Sequence, residues 1–169
     1  MNFTRPKDPL AFRQALGSFA TGLTIVTGQT ADSERFGLTA SSFQSVSLSP
    51  PLVLYSIRKS AASIPMLLAA GSFCVNVLGE GHGALARRFA SPVADRFDGI
   101  EWERGALGGW VLPDAIAVFE CRLWSTYDGG DHLIVVGEVE NMYRAPEGNP
   151  LLFFKGEFRP IGPAMSPVA

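Results

Sequence analysis

The chain has 169 residues and a mass of 18.1 kDa, with 47% hydrophobic and 18% charged side chains. A chain of that size leaves about 8,000 Å² exposed when folded out of about 26,000 Å² unfolded, which implies one domain with a real core and excludes disorder. Fourteen basic against sixteen acidic side chains give a formal charge of -2, without the positive field that holds a phosphate backbone, so no nucleic acid partner is expected.

The elements follow in chain order. Met1 to Asp8 contains no apolar h-region, and no later run approaches the roughly 18 apolar residues of a membrane span, so a cytoplasmic protein with no membrane contact is expected. The Asn2-Phe3-Thr4 sequon then carries no information. Asp8 and Pro9 suit N-cap and first-turn positions, and Phe12, Leu16, Phe19 and Ala20 recur at helical spacing; a helix over Pro9 to Ala20, packed on one face, is predicted. Short β-rich runs come next: Leu23 to Thr27, Phe36 to Phe43, Leu52 to Ile57, Phe73 to Leu78, Ala115 to Tyr127, His132 to Met142 and Leu151 to Phe154. Between them, Ser63 to Ala70 ending at Gly71 and Gly83 to Ala90 before Pro92 read as short helices. Asp95 to Pro113, with Trp102 and Trp110, has no clean period and reads as a long packed loop.

Links such as Asp32-Ser33-Glu34-Arg35 and Ser49-Pro50-Pro51 are too short for a parallel crossover, so the sheet must be mainly antiparallel. No repeat or linker divides the chain. A single domain over residues 1–169, with its core at about 10–160, is expected: mainly β, an antiparallel Greek-key-like barrel with a few peripheral helices. Cys74 and Cys121 lie in apolar runs without CxxC spacing and read as buried free thiols, not as a disulfide or a zinc site.

Gly79-Glu80-Gly81-His82-Gly83-Ala84 matches the G-x-G-x-x-A dinucleotide fingerprint, yet the second parallel strand it needs is missing downstream. It reads as a strand-to-helix turn with His82 as a solvated loop residue. No nucleophile elbow, HExxH or Walker loop occurs, and no metal cluster is evident, which disfavours hydrolysis and phosphoryl transfer. Any chemistry would then belong to an organic cofactor.

The stretch Thr39 to Pro51 crowds small hydroxyl residues onto a strand and the turn after it. It fits either the polar edge of a flat ring such as an isoalloxazine or a plain Ser-rich edge strand. Arg58-Lys59-Ser60-Ala61-Ala62-Ser63 places cations and hydroxyls ahead of a helix start, as a phosphate site requires. Arg87-Arg88, before Phe89, either adds charge to that phosphate or is a solvated helix face. Asp128-Gly129-Gly130-Asp131-His132 is a tight hairpin turn that could offer its imidazole to a nicotinamide.

Taken in order, Phe12 to Gly22, Thr39 to Leu52, Phe73 to Leu78, Leu85 to Ala90, Asp95-Arg96-Phe97 and Gly130-Asp131-His132 resemble the flavin reductase family. The resemblance implies the FMN-binding split-barrel fold and hydride transfer from NADH or NADPH to FMN or FAD. It also implies a homodimer with flavin sites near its interface and a partner monooxygenase that receives reduced flavin. Carried over by position, it implies that Thr39, Ala40, Ser41 and Ser42 line the isoalloxazine, and that Ser56, Ile57, Arg58, Lys59 and Ser60 with Ser63 hold the phosphate. Arg88 and Phe89 would border the flavin tail, and His132, the one catalytic candidate, would face the nicotinamide. Leu38 stands where the family often has Met or Val, and Phe158 where it often has Tyr. Two rival readings share the scaffold: a non-catalytic flavin- or haem-binding split barrel, and a flavoenzyme that reduces its own organic substrate.

Overall fold

Asp8 starts the first helix, its carboxylate accepting from the backbone N–H groups of Leu10 at 2.9 Å and Ala11 at 3.3 Å with Pro9 in the first helical position. This helix, α1, runs Pro9–Leu16 in the computed structural model, which describes residues 5–93 and 95–163; the Asn2-Phe3-Thr4 triplet lies outside the described residues. It stops short of the expected Ala20 because Gly17 to Phe19 close a tight turn and Thr21–Gly22 is recruited as strand β1. None of its residues is buried, so the expected packed face is absent: Leu10, Phe12 and Leu16 are all exposed, Leu10 and Leu16 on the side of an open groove.

The strands that follow are β2 (Thr24–Gln29), β3 (Arg35–Ala40), β4 (Gln44–Leu48) and β5 (Pro51–Arg58). Helix α2 (Ser63–Ala70) ends, as predicted, on Gly71 in the left-handed region at φ 64°. After β6 (Ser72–Val77) come a 3-10 turn (Glu80–His82) and α3 (Gly83–Ala90). The segment read as a loop contains a small hairpin, β7 (Glu103–Arg104) with β8 (Trp110–Val111). Two 13-residue strands, β9 (Ala117–Gly129) and β10 (His132–Arg144), precede β11 (Leu152–Phe154) and β12 (Glu157–Arg159).

Seven strands form one sheet in the order β3-β2-β6-β9-β10-β5-β4, every pair antiparallel, as the short links require. Its two edges, β3 and β4, are consecutive in the chain and joined only by Ser41, Ser42 and Phe43. So short a tether brings the edges together and curls the sheet into a barrel, while no backbone ladder seals the gap between them. This is a split barrel. The Ser-rich run Thr39 to Pro51, read as a strand and the turn after it, holds the end of β3, the corner where the barrel closes and a further strand, β4, at the sheet edge.

Period-two alternation sorts the side chains. Val26, Phe36, Val53, Tyr55, Ile57, Phe73, Val75, Cys121 and Val135 form the interior cluster, against which Ile64, Met66 and Leu67 of α2 pack. The opposite face of β2, β6 and β9 carries Ile25, Cys74 and Val118, covered by Ala86 and Phe89 of α3 and by Phe97 and Leu112 of the long segment. Polar groups on that face anchor the β7–β8 hairpin. Thr27 Oγ1 donates to the Trp110 carbonyl, Asn76 accepts from Leu112 N–H at 2.8 Å, and the buried Glu120 carboxylate accepts from Leu107 N–H at 3.0 Å. Both thiols are free and buried, as expected. Among the described residues no helix is long and apolar enough to cross a membrane.

Candidate functional site

The end of β5 and the β9–β10 turn meet in register. Arg58 pairs with His132 and Ser56 with Ile134, while His132 also faces Gly129 across the hairpin. Gly130 takes φ 78°, a conformation that favours glycine and lets two residues reverse the chain. The Lys59 backbone N–H donates to the Asp131 carbonyl at 3.0 Å, and Lys59 Nζ lies 2.6 Å from Asp128 Oδ2. Asp131 Oδ1 stands 2.7 Å from His132 Nδ1. With the Nδ1 proton donated to this carboxylate, Nε2 is left as the ring's free acceptor.

These contacts set the local charges. The Lys59 ammonium, with a further N–H from Gly130, holds the Asp128 carboxyl below its ordinary value. The His132 contact does the same for Asp131.

At the barrel corner, Ser42 takes over where the β4–β5 ladder runs out. The last backbone pair is Gln44 with Leu54; two residues on, Ser42 Oγ accepts from the Ser56 N–H at 2.9 Å and donates to the Ser56 carbonyl at 3.3 Å. Ser42 and Ser41 form one wall of a groove of about 1,010 Å³, otherwise lined by α1 and its turn (Leu10, Arg13, Phe19), by Thr21, and by Phe153 and Lys155. The Thr21 hydroxyl oxygen is buried without a partner among the described residues. An orphaned polar atom beside serine hydroxyls and apolar walls suits a flat, partly polar ligand. The groove's own cations are Arg13 and Lys155, while Arg58 and Lys59, expected to meet a phosphate, stand outside its lining; hydroxyls, apolar walls and nearby cations together fit a flavin nucleotide.

Several expected contacts need correction. Ile57 and Phe89 are 3% and 2% exposed; the Ile57 side chain is part of the interior, and the Phe89 ring stacks edge-on against Phe97 at 5.2 Å. Alternation turns the first inward, and the apolar face of α3 claims the second. Ala40 is likewise buried, so only the backbone of these three can reach a ligand. Thr39 donates its hydroxyl to the Ala86 carbonyl at 2.7 Å, tying β3 to α3. Arg88 donates to the Asp98 carbonyl at 2.7 Å and lines a separate cavity of about 500 Å³ with His82 and Asp114. Ser63 lines a third, of about 350 Å³, with Arg35 and Arg96. Ser60 is exposed beyond Lys59. His82 is no solvated loop residue: its Nδ1 accepts from the Gly79 N–H at 3.0 Å and its Nε2 lies 3.6 Å from Asp114 Oδ2. The fingerprint turn is the strand-to-helix connection expected, with β6 flanked by antiparallel neighbours only.

Sequence reasoning missed the groove wall formed by α1 and β11, and it missed Asp128 and Asp131 as partners of Lys59 and His132. The signal for the first was the amphipathic pattern of α1 with no partner assigned. The second had none, because the spacing between residues 59 and 128 says nothing about a ladder that aligns them.

The chain matches the family model described as a flavin reductase like domain over residues 16–162. It is 40% identical over 158 residues to the flavin-dependent monooxygenase reductase subunit HsaB of Mycobacterium tuberculosis, covering 92% of this chain and 84% of that protein. Over 149 residues it is 42% identical to the reductase component of 4-hydroxyphenylacetate 3-monooxygenase from Thermus thermophilus, covering 88% and 94%. The solved structure of the NADH:FAD oxidoreductase SgcE6 of Streptomyces globisporus, in complex with NAD and FAD fragments, superposes with a TM-score of 0.91 at 40% identity over 98% of this chain and 100% of that one. A split barrel with a hydroxyl-lined corner, matched along nearly its whole length by these proteins, belongs to the flavin reductase family, oxidoreductases that pass hydride from a reduced nicotinamide nucleotide to FMN or FAD.

Proposed function

We propose that this chain works as a single flavin reductase domain that reduces FMN or FAD at the corner built by Ser41, Ser42 and Ser56 and yields the reduced flavin to a separate monooxygenase. The observation that carries this reading is what meets along the end of β5: the serine corner where Ser42 bonds Ser56, the cations at Arg58 and Lys59, and His132 directly across the ladder from Arg58. Bound flavin would supply the hydride-accepting ring and NADH or NADPH the hydride.

The protein's own part is placement. Ser41, Ser42 and the Thr21 hydroxyl offer hydrogen bonds to the ring's polar edge, while Leu10, Phe19 and Phe153 exclude water from its faces. Arg58 and Lys59 neutralise the phosphate and Ser60 offers it a hydroxyl hydrogen bond, with Ser63, Arg88 and the Thr39 to Ala40 backbone as outlying contacts. His132, oriented by Asp131, presents Nε2 to the carboxamide N–H of the nicotinamide. No protein acid or base is required once the two rings are stacked. The exposed Leu10, Phe12, Leu16 and Phe19 support a homodimer that covers α1 and closes the groove. Two free thiols fit the reducing cytoplasm.

The test is oxidation of NADH or NADPH by the purified protein with increasing free FMN or FAD. A rate that rises with added flavin and saturates is expected; a rate indifferent to it would overturn release of the reduced flavin. Light scattering should give twice the chain mass, and a monomer at micromolar concentration would refute the dimer.

A further inference from the structure

Lys59 has two relationships at once. Its position after β5 points to an anion arriving at Ser56 to Ser60, yet its ammonium already sits 2.6 Å from the Asp128 carboxylate. Asp128 is not loosely placed: its other oxygen accepts from the Gly130 N–H at 2.9 Å, which fixes the carboxylate on the turn. The Lys59 backbone is fixed as well, through its N–H to the Asp131 carbonyl. Two anchored backbones hold the ammonium and carboxylate in reach of each other. At this end of the two strands the neighbouring charged side chains are Arg58, which faces His132, and Asp131, which meets His132; the other charges of β9 and β10 (Glu120, Arg122, Glu138, Glu140 and Arg144) lie six or more residues away along the strands.

We propose that Asp128 is a residue that sets flavin affinity by competing with the flavin phosphate for Lys59. This rests on the reading that Lys59 meets that phosphate. A phosphate dianion approaching Lys59 finds an ammonium partly neutralised by a carboxylate that cannot swing away without giving up the Gly130 N–H. Binding therefore costs either the ion pair or the repulsion of two anions sharing one cation. The consequence is a weaker grip on the phosphate and faster departure of reduced flavin.

The test is calorimetric titration of the intact protein with FMN and with riboflavin, which lacks the phosphate, in wild type, Lys59→Ala, Asp128→Asn and the double variant. Asp128→Asn keeps an oxygen acceptor for the Gly130 N–H, and Asp128→Ser, also able to accept there, serves as a second variant should the first fold poorly. Expected are FMN binding about two- to fivefold tighter in Asp128→Asn, riboflavin binding unchanged, and the gain abolished in the Lys59→Ala background. Unchanged or weaker FMN binding in Asp128→Asn, alongside weaker binding in Lys59→Ala, would overturn the competition and leave the phosphate site standing. An equal gain with and without Lys59 would also overturn it, since Asp128 would then act by repulsion alone. FMN binding unaffected by Lys59→Ala would remove Lys59 from the phosphate site and the proposal with it.

Discussion

Ser42 joins stability and function at one side chain, so its removal should register in both. Ser42→Ala deletes the acceptor for the Ser56 N–H at 2.9 Å and the donor to the Ser56 carbonyl at 3.3 Å. The second bond is long, and the site is only partly buried, so water recovers some of the loss. A cost of about 1–2 kcal/mol follows for the stranded peptide, or about 2–8 °C in melting temperature for a domain of this size. Because Ser56 lies two residues before Arg58 on β5, loosening the corner should also weaken flavin binding. Ser41 is exposed and its hydroxyl has no partner among the described residues, so Ser41→Ala should weaken flavin binding without lowering the melting temperature. Thermal unfolding followed by circular dichroism, paired with FMN titration, separates the two effects. A Ser42→Ala protein with wild-type melting temperature and wild-type flavin affinity would refute the claim that this hydroxyl closes the barrel at the site.

Three further outcomes are expected. His132→Ala should raise KM for the reduced nicotinamide roughly two- to tenfold, the loss of one hydrogen bond, with flavin affinity nearly unchanged; steady-state kinetics matching wild type for both substrates would remove His132 from the site. Burial pushes the Cys121 thiol up to about 12 and raises Cys74 as well, so a thiol reagent at pH 8 should leave the folded protein unlabelled and modify both cysteines only in denaturant. The Asp128 and Asp131 carboxyls are held below the ordinary 3.8, so their ties persist through the neutral range and are lost only as pH falls through those lowered values. In a carboxyl NMR titration, Lys59→Ala should move the Asp128 midpoint up and leave that of Asp131 in place; an Asp128 midpoint indifferent to Lys59 would contradict the ion pair.

Local chemistry made much of this protein legible in its sequence. The Asp8-Pro9 helix start, Gly71 as a helix stop, the glycine turn between Asp128 and His132 and the β-rich runs that became β5, β6 and β10 each follow from forces acting within a few residues. The short links compelled antiparallel pairing. Ser41, Ser42, Lys59 and His132 stood out because their residue types suit flavin and nicotinamide chemistry. Tertiary structure alone decided where each of the named side chains lies. The Phe89 ring went to the core because Ile25 and Cys74 of the sheet and Phe97 and Leu112 of the long segment enclose it. The Thr39 hydroxyl went to α3, and the Arg88 guanidinium to a carbonyl in another cavity. Lys59 met Asp128 only through a ladder joining segments 69 residues apart, and Ser42 met Ser56 only where the β4–β5 ladder runs out at the barrel corner. α1 keeps its apolar residues exposed, while the chain just after it pairs Thr21 with Phe153 of β11. A side chain's chemistry is local, but its partner is set by which strands lie side by side, and that is a property of the closed barrel.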